Sequence, residues 1–324
     1  MNARVKPSGQ AAARWVDLLI AALVLASIVV SLFGVLGNLS WIFELLSHFR
    51  VQIFAAQLAL LVMLAVRRRW VIAAILVPVA AANAGVLMPY WPQTNAALAA
   101  GPGLKVMTAN VHVGNREHAR FLELAMREDP DLILLLEVDR AWTRALAPLA
   151  ARYPHTVSAP REDAFGIALL SRVPITDQHI VDLRGSPAID AQITTAAGSA
   201  LRFIGVHLRA PTSARRAASR DEQLAELAQI ARQIDQPLIV AGDLNLTPYS
   251  PKFADLIEAS KLSDTRAGRG WTFSWPTYLP ILGIPIDHCL ISEHFTVAEH
   301  YRGAGFGSDH YPILTQLFIE GRFP

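Results

Sequence analysis

Leu238-Ile-Val-Ala-Gly-Asp-Leu-Asn245 is the stretch that decides the fold of this 324-residue chain. An apolar, strand-like run ends there in two polar residues, Asp243 and Asn245, although an unpaired buried charge costs several kcal/mol. Residues two apart in extended backbone face the same side, so both side chains point the same way. Gly242 allows the backbone to pass close to a ligand. A plain Asx turn leading into Thr247-Pro248 is the alternative interpretation.

Two further polar islands follow apolar runs, Ile286-Asp287-His288 and Gly307-Ser308-Asp309-His310. Successive strand side chains point to opposite faces, so only one member of each Asp-His pair has to enter a site. A carboxylate that holds an imidazole charged and oriented is a common general-acid arrangement. Surface turns also suit Asp-His pairs, and Ser308 either orients its neighbours or satisfies a turn. Three islands at the ends of apolar runs predict strands that deliver side chains to one pocket.

Two apolar runs earlier in the chain also end in a polar residue. Glu137 ends Asp131-Leu-Ile-Leu-Leu-Leu and Asn110 ends Val106-Met-Thr-Ala. A carboxylate at the end of a buried strand is a helix cap or a ligand of a hard cation, and the second is favoured here. Asn110 alone also fits a strand-terminating turn.

His207 interrupts Phe203-Ile-Gly-Val, and a lone histidine on a strand is more often a core residue. The arginines that follow His207 would bind an anionic group beside the imidazole, or else they form a solvated helix face. They are Arg209, Arg215, Arg216 and Arg220.

From residue 104 the chain alternates strands and helices, which predicts an α/β sandwich with helices covering the sheets. The predicted strands are 104–109, 132–138, 167–170, 179–183, 192–195, 201–207, 238–241, 288–291 and 313–318. The predicted helices are 115–128, 221–234 and 253–259.

Three apolar stretches precede this region, at 15–37, 51–66 and 70–91. The first and third reach the roughly 20 residues that cross a bilayer, and the short middle one is flanked by Arg50 and Arg67, which can snorkel. A buried helical hairpin or a signal peptide is the alternative, but a signal peptide has a single apolar segment. We therefore predict three transmembrane helices in residues 1–92, a linker at 93–103 and a catalytic domain at 104–324.

The distribution of Lys and Arg predicts how the helices are oriented in the membrane. Arg4, Lys6 and Arg14 in the tail and Arg67–Arg69 in the second loop lie an even number of crossings apart, so both belong on the cytoplasmic side. An odd number of helices then places the catalytic domain on the extracytoplasmic side of the cell membrane. Seven Lys and Arg against two acidic residues give residues 1–104 a charge of +5, so the total of +2 leaves −3 for the remainder. That remainder lacks the broad basic surface of a duplex-binding protein. The single cysteine, Cys289, excludes an internal disulfide framework and a cysteine-based zinc site.

The order of these residues resembles the endonuclease/exonuclease/phosphatase superfamily over residues 104–319. The motif carriers are Asn110, Glu137, His207, Asp243-x-Asn245, Asp287 and Ser308-Asp309-His310. Gly166-Ile-Ala-Leu-Leu-Ser-Arg-Val-Pro174 resembles the family strand that ends in Ser-Arg-x-Pro. The resemblance implies a four-layered α/β sandwich with two central mixed sheets and the site at their shared edge. One departure is Leu136, where the family usually has Gln.

The resemblance also implies roles. Mg²⁺ (or Mn²⁺) would be bound chiefly by Glu137, with Asn110 and Asp309 near it. Asp243 would orient or deprotonate the attacking water, and Asn245 would position the phosphate. His310, paired with Asp287, and His207 on the other side would stabilise the charge that develops on phosphorus.

We expect a membrane-anchored, metal-dependent phosphoesterase acting on a diester or monoester, with a lipid head group favoured by the anchor. An extracytoplasmic nuclease and a catalytically silent membrane scaffold are the alternatives. The aromatic segment Gly270–Tyr278 contains Trp271, Phe273, Trp275 and Tyr278. It would dip into an interface, stack bases, or pack as a lid.

Overall fold

The computed structural model describes residues 8–93 and 103–319. The chain divides into two compact units, one reaching Pro89 and including Tyr249–Pro251, the other formed by Tyr90–Pro248 and the residues from Lys252 onward. Most of the predicted linker, residues 94–102, lies outside the described residues.

Four helices form the first unit, α1 (Ser8–Val35), α2 (Trp41–Ser47), α3 (Arg50–Val66) and α4 (Trp70–Leu87). Two stretches, Ala11–Val35 and Trp70–Tyr90, are long and apolar enough to cross a membrane. The predicted middle span is different, because α3 follows α2 after a bend of 61° and the pair has the length of a third span only if counted together. Two or three spans are therefore supported by length and composition.

A polar network lies inside this apolar unit. Asn83 donates from Nδ2 to Ser31 Oγ (2.9 Å) and to Gln57 Oε1 (2.8 Å). Gln57 donates to Ser31 Oγ (3.1 Å), and Arg50 donates from Nη1 to Asn83 Oδ1 (2.7 Å). All four side chains are buried. The network connects α1, α3 and α4.

Two six-stranded mixed sheets form the second unit, in the orders β11-β12-β1-β2-β4-β3 and β5-β6-β7-β8-β10-β9. The first contains β1 (Leu104–Asn110), β2 (Leu132–Leu136), β3 (His155–Ala159), β4 (Ile167–Ser171), β11 (Phe295–Arg302) and β12 (Ile313–Ile319). The second contains β5 (Ile175–Leu183), β6 (Ser186–Thr194), β7 (Ala200–His207), β8 (Leu238–Asp243), β9 (Ser263–Asp264) and β10 (Asp287–Ile291). The helices are α5 (His118–Glu128), α6 (Arg140–Ala145), α7 (Ala214–Arg232) and α8 (Pro251–Ser260).

Three apolar cores separate four layers. The faces of the two sheets meet through residues such as Leu134, Phe203 and Ile239. Outside the first sheet pack the side chains of α5 and α6, and outside the second those of α7 and α8. Central strands such as β2 and β8 are covered on both faces, which is why their sequences are continuously apolar. The α/β sandwich expected from the sequence is confirmed.

The topology brings particular strand ends together. β1 and β2 are parallel, as are β7 and β8, so all four carboxyl ends lie at corresponding edges. β12 runs antiparallel to β1, and β10 runs antiparallel to β8, so the starts of β12 and β10 lie at the same edges. Asp287 pairs in register with Asp243, which pairs with His207.

Several element boundaries differ from the sequence prediction. α7 begins at Ala214 rather than at 221, because the Ser213 side chain caps it by accepting a bond from the Arg216 amide (3.3 Å). α5 begins at His118 rather than at 115. Strands β3 and β11 were not predicted, because edge strands are partly exposed and carry fewer apolar residues.

Candidate active site at the joined edges of the two sheets

The polar strand-end residues meet where the edges of the two sheets approach. Asn110 Nδ2 lies 3.0 Å from Glu137 Oε1 on its own sheet and 3.4 Å from Asp243 Oδ2 on the other. Ser308 Oγ donates to the Asn110 carbonyl (2.7 Å), which fixes the loop before β12 against the end of β1. Side chains from distant parts of the sequence thus share one site.

Glu137 stands one residue beyond the end of β2. Its backbone is in the left-handed region (φ +62°), and this turns the side chain out of the strand direction. One carboxylate oxygen accepts from Asn110, and the other accepts from the Val113 amide (3.0 Å). Leu136, which departs from the Gln that the resemblance implies, is fully buried in the core between the sheets. It contributes packing rather than a polar contact.

Asn110 was expected near a metal. Its Oδ1 accepts from the His112 amide (3.0 Å), so the hydrogen-bond network assigns the NH₂ group to the side facing the carboxylates. In this arrangement Asn110 donates to Glu137 and Asp243 and holds them in place.

Asp309 contributes the second carboxylate on this side. Its Oδ2 accepts from the indole Nε1 of Trp275 (3.2 Å), while Oδ1 is buried without a hydrogen-bond partner among the described residues. The His112 ring lies between the two carboxylates, with Nδ1 3.4 Å from Asp309 Oδ1 and 3.7 Å from Glu137 Oε2.

A buried cluster of Asp243, Asp287 and His310 faces these groups, with one ligand-type atom of each within 4.8 Å of the others. His310 Nδ1 lies 2.8 Å from Asp287 Oδ2, and His310 Nε2 lies 3.8 Å from Asp243 Oδ2. Burial by itself would lower the pKa of His310, but the negative charges of Asp287 and Asp243 outweigh it and raise the pKa to about 10. His310 is therefore a cation at neutral pH.

Burial raises the pKa of the Asp243 carboxyl to about 8, and the nearby charge of Asp287 adds to the shift while His310 opposes it. A carboxyl group with a pKa near neutrality is suited to exchange a proton with water. Asp243 also accepts the Asn245 amide at Oδ1 (2.8 Å), an Asx turn that fixes the carboxylate. The Asx turn, stated above as an alternative to a functional role, is therefore present, and Asp243 also belongs to the buried cluster.

His207 flanks the cluster from the end of β7. Its Nε2 lies 3.6 Å from Asp243 Oδ2, and the Phe165 ring packs against it at 5.5 Å. Burial lowers the pKa of His207 below its usual value, although the charge of Glu137 opposes the shift. The site thus combines a neutral imidazole, His207, with a charged one, His310.

Asn245 and Gly242 shape the loop after β8. Asn245 has a left-handed backbone (φ +49°) and donates from Nδ2 to the Leu208 carbonyl (2.9 Å), which fixes its amide plane. A Cβ on Gly242 would lie 1.8 Å from the Val206 carbonyl oxygen, so only glycine fits where β7 and β8 approach. The sequence suggested a close approach to a ligand at Gly242, and the close approach that the structure has there is between strands.

The donor chemistry of these carboxylates suits a hard divalent cation, and among the described residues the group whose ligand-type atoms all lie within 4.8 Å of one another is Asp243, Asp287 and His310. Glu137 and Asp309 supply oxygen donors, which Mg²⁺ and Mn²⁺ accept, and the unpartnered Asp309 Oδ1 is the kind of buried atom that a bound cation satisfies.

The sequence predicted that only one residue of each Asp-His pair has to enter the site, and this holds for Asp287-His288. Asp287 faces the site, whereas His288 points into the outer core, where its Nε2 lies 2.7 Å from the Leu246 carbonyl oxygen. Burial lowers the pKa of His288 well below its usual value.

Three of the four arginines after His207 divide into two groups. Arg215 and Arg216 are exposed on α7. Arg220 is fully buried, ion-paired with Asp221 (2.8 Å) and donating to the Asn245 carbonyl (3.2 Å). It therefore supports the loop that follows β8.

The aromatic segment is largely integrated into the fold. Trp271 contacts Trp91 edge-on at 5.3 Å, and Trp275 donates to Asp309. Thr277 donates to the carbonyls of Ser308 (2.8 Å) and Asp309 (2.9 Å), which anchors the segment beside the site. Beyond this anchor a short tip, residues 278–282, exposes Tyr278 (72%), Leu279 (42%), Ile281 (79%) and Leu282 (43%).

Three contributors to the site were missed or misjudged from the sequence. His112 follows Asn110 by two residues, a spacing that could have identified it. Trp275 was considered only as part of a segment that would dip into an interface, stack bases or pack as a lid, and it donates to Asp309. Ser274 accepts from the amides of Ile286 (3.1 Å) and Asp287 (3.2 Å), a contact that no sequence pattern indicates.

The sequence model of the Endonuclease/Exonuclease/phosphatase family matches residues 107–310, more than half of the chain and all of the candidate site residues. An endonuclease/exonuclease/phosphatase from Beutenbergia cavernae is 23% identical at a TM-score of 0.57, covering 68% of this chain and 72% of its own. D. rerio TDP2, solved with a single-strand DNA product, is 19% identical at 0.57, covering 67% of this chain and 100% of its own. Sphingomyelinase C from Streptomyces griseocarneus is 19% identical at 0.51, covering 67% and 99%. At these identities the solved structures establish a shared fold. No curated protein sequence matches the chain.

Proposed function

The chain belongs to the endonuclease/exonuclease/phosphatase family, and from this membership we propose that it is a membrane-anchored, divalent-metal-dependent phosphoesterase. Members of the family are hydrolases that act on phosphate esters and generally depend on a divalent metal. In this proposal residues 1–92 anchor the protein and residues 104–324 carry the chemistry.

The observation that carries the proposal is the meeting of carboxylate oxygens, a buried carboxyl group with a raised pKa and a cationic imidazole at one edge. Glu137 and Asp309 would hold Mg²⁺ or Mn²⁺, with Asn110 keeping Glu137 in position. A divalent cation bound there supplies Lewis-acid polarisation of the phosphoryl oxygen.

The remaining residues have complementary roles. Asp243, fixed by the Asn245 amide, orients the attacking water and accepts its proton. His310, kept charged by Asp287, donates a hydrogen bond to a phosphoryl oxygen as negative charge develops there. The neutral His207 donates a hydrogen bond from the other side, and Asn245 positions the phosphate.

Hydrolysis of bis(p-nitrophenyl) phosphate and of p-nitrophenyl phosphate by the detergent-solubilised protein tests this function and separates diesterase from monoesterase activity. We expect EDTA to abolish turnover and Mg²⁺ or Mn²⁺ to restore it. Turnover that persists in EDTA contradicts metal dependence. Absence of turnover on both esters and on DNA, RNA and phospholipids supports the scaffold alternative.

A lipid head group is the substrate class we propose. The support is the exposed apolar tip at 278–282, whose base is hydrogen-bonded to the backbone of Ser308 and Asp309. Isolated exposed apolar residues are common, but a contiguous group beside a site indicates an interaction surface. The same chain has helices long and apolar enough to cross a membrane, so we propose that the tip contacts a lipid bilayer.

A paired substitution, Tyr278→Ser with Ile281→Ser, tests the tip without touching Trp275 or its bond to Asp309. Burying each side chain in an interface is worth about 1.5–3 kcal/mol, so turnover on vesicle-presented phospholipid should fall at least about tenfold. Turnover of the soluble diester should stay within about twofold. A loss of turnover confined to single-stranded DNA favours base stacking and the nuclease alternative. The charge of −3 on the part of the chain after residue 104 argues against that alternative. Equal loss on every substrate contradicts both interpretations.

We further propose an extracytoplasmic catalytic domain, on the support of the basic tail and Arg67–Arg69. Alkaline phosphatase fused after Pro324 should be active in cells, and green fluorescent protein at the same point should be dark. The reverse result places the catalytic domain in the cytoplasm.

A further inference from the structure

Arg209 is the fourth arginine after His207, and it follows the end of β7 by two residues. Its backbone amide donates to Gln223 Oε1 (3.0 Å). Gln223 is fully buried, and its Nε2 donates to the Leu183 carbonyl and to Ser186 Oγ, both at 2.9 Å. These bonds attach the loop after β7 to the turn between β5 and β6, so the fold determines where Arg209 stands.

The Arg209 side chain is connected to the site through one aromatic ring. Its guanidinium carbon lies 5.3 Å from the centroid of the Phe165 ring. The same ring packs against His207, with the two centroids 5.5 Å apart. His207 Nε2 in turn lies 3.6 Å from Asp243 Oδ2. Arg209 therefore stands one phenyl ring away from the groups that would act on a phosphate.

The guanidinium group of Arg209 has few partners for a half-buried cation. Its Nη2 lies 3.4 Å from the Gly185 carbonyl oxygen, beyond the usual range of about 2.7–3.2 Å, and its Nε is buried without a hydrogen-bond partner. In the part of the chain that the structure describes, no carboxylate forms an ion pair with Arg209. Arg184, on the neighbouring turn, is by contrast paired with Glu222 (3.2 Å) and Glu226 (2.7 Å). Arg209 thus retains donors that a ligand can use.

We propose that Arg209 and Phe165 form a subsite for a second phosphate group of the substrate, which the preferred ester carries in addition to the phosphate that is hydrolysed. This inference rests on the proposed function, because it names a feature of the substrate of that same site. A guanidinium presents donors in a planar fork that matches phosphate oxygens, and it keeps its charge while stacked on an aromatic ring. Phe165 holds the fork in place, and His207 contacts the reacting phosphate.

A small head group fits this subsite better than a polynucleotide. A nucleic acid strand also carries successive phosphates, but proteins that bind it present a basic surface that follows the backbone. Here a single unpaired arginine lies next to the site, and the part of the chain after residue 104 has a charge of −3. The second phosphate is therefore assigned to a head group.

A competing interpretation makes Arg209 a packing residue that only covers Phe165. Removing it would then lower the melting temperature and weaken the binding of every ligand alike. The two interpretations differ in one quantity, the ratio of the affinities for a ligand with two phosphorus groups and for a ligand with one.

Calorimetry on the full-length, detergent-solubilised protein in Mg²⁺ measures this ratio with butane-bisphosphonate and butylphosphonate, whose carbon–phosphorus bonds are not hydrolysed. Ethane and hexane chains vary the separation of the two groups. Wild type should bind the best bisphosphonate at least about tenfold more tightly than the monophosphonate, since a charge-assisted contact is added. In Arg209→Gln the two affinities should agree within about twofold, and Arg209→Lys should keep part of the preference. Arg232→Gln, which removes an exposed arginine in the last turn of α7, is the matched control and should keep the wild-type ratio.

Turnover distinguishes a lipid head group from a soluble ester. Phosphatidylglycerol phosphate is compared with phosphatidylglycerol in vesicles, and the corresponding deacylated glycerol esters are compared in solution. In wild type, kcat/KM should favour the phosphorylated ester at least about tenfold in both forms, and Arg209→Gln should lose this preference.

The same affinity ratio in wild type and Arg209→Gln, or a proportional loss of both affinities, overturns the inference. Tight binding of a 5′-phosphorylated dithymidine without a preference for any bisphosphonate assigns Arg209 to a polynucleotide backbone and also overturns it. A bisphosphonate preference without hydrolysis of any phosphate ester would leave the subsite standing and refute the proposed function. Metal-dependent hydrolysis without that preference would do the opposite.

Discussion

Polar side chains are buried in both units of this protein, but in one they hydrogen-bond to one another across helices and in the other they include carboxylate oxygens without a hydrogen-bond partner. In the first unit Ser31, Gln57 and Asn83 bond to one another, and Arg50 donates to Asn83. In the second, Asp243 and Asp287 share one small cluster of like charges. Carboxylate oxygens of Asp287 and Asp309 there have no hydrogen-bond partner among the described residues.

The difference separates structural from functional polar groups. Hydrogen bonds between apolar helices hold the helices together. Buried carboxylate oxygens without a partner and shifted pKa values lower the stability of the folded state. Such features are found mainly at functional sites. Substitutions in the two regions should therefore have different consequences: loss of stability in the first and loss of activity in the second.

The largest effect is expected for Glu137→Gln. It removes the charge from the carboxylate that Asn110 and the Val113 amide hold. Since a bound cation contributes several kcal/mol and each 1.36 kcal/mol is tenfold in rate, kcat on the soluble diester should fall by at least about 10³. The melting temperature of the metal-free protein should not decrease.

Glu123→Gln, an exposed carboxylate on α5, is the matched control and should leave kcat unchanged. Near-wild-type activity and metal affinity in Glu137→Gln would show that the metal site is assigned to the wrong residue. Asp243→Asn should also abolish turnover but retain cation binding, because its proposed partner is the water.

A smaller effect, about 10²–10³ in kcat, is expected for Asp287→Asn, comparable to removing one preorganised donor. Burial lowers the pKa of His310, but the charges of Asp287 and Asp243 outweigh it and raise the pKa to about 10, above its usual value of 6.5. The stability contributed by its charge is therefore full below about pH 6.5 and is lost as pH rises through about 10. In D287N, burial should dominate and lower that pKa. Imidazole NMR titration of the metal-free protein measures it, and an unchanged His310 pKa contradicts the pairing.

The smallest effect on activity is expected for Asn83→Leu, which removes the acceptor of Arg50 and the donor to Ser31 and Gln57. The free energy of unfolding should decrease by about 1–3 kcal/mol, because a buried donor loses its acceptor. A lower melting temperature in detergent, with kcat on the soluble diester within twofold of wild type, is the result to look for. Ala82→Leu, on the exposed side of α4, should change neither quantity. A large loss of kcat in Asn83→Leu would show that the network serves more than stability.

The two-sheet sandwich was predictable because central strands such as β2 and β8 are covered on both faces and are continuously apolar. The edge strands β3 and β11 were not predictable, since partial exposure weakens the pattern. The bend between α2 and α3 was also missed, because hydropathy is insensitive to a change of direction.

For the site, the order of polar strand ends indicated which residues meet, including Asn110, Glu137 and Asp243. It did not indicate their contacts. That Asn110 presents its amide NH₂ to the carboxylates, and that Trp275 binds Asp309, depends on side-chain orientation across two elements. Local sequence does not contain that information.

Three residues of the site, His112, Glu137 and Asn245, have left-handed backbones with φ of +59°, +62° and +49°. A side chain in this region costs about 1–2 kcal/mol that glycine does not incur. Natural selection for function and laboratory selection for thermal resistance therefore act in opposite directions at these positions. A screen that selects only for thermal stability should enrich glycine at residue 137. The resulting protein would be more stable but would lack the Glu137 carboxylate. Directed evolution of this chain has to select for turnover and stability together.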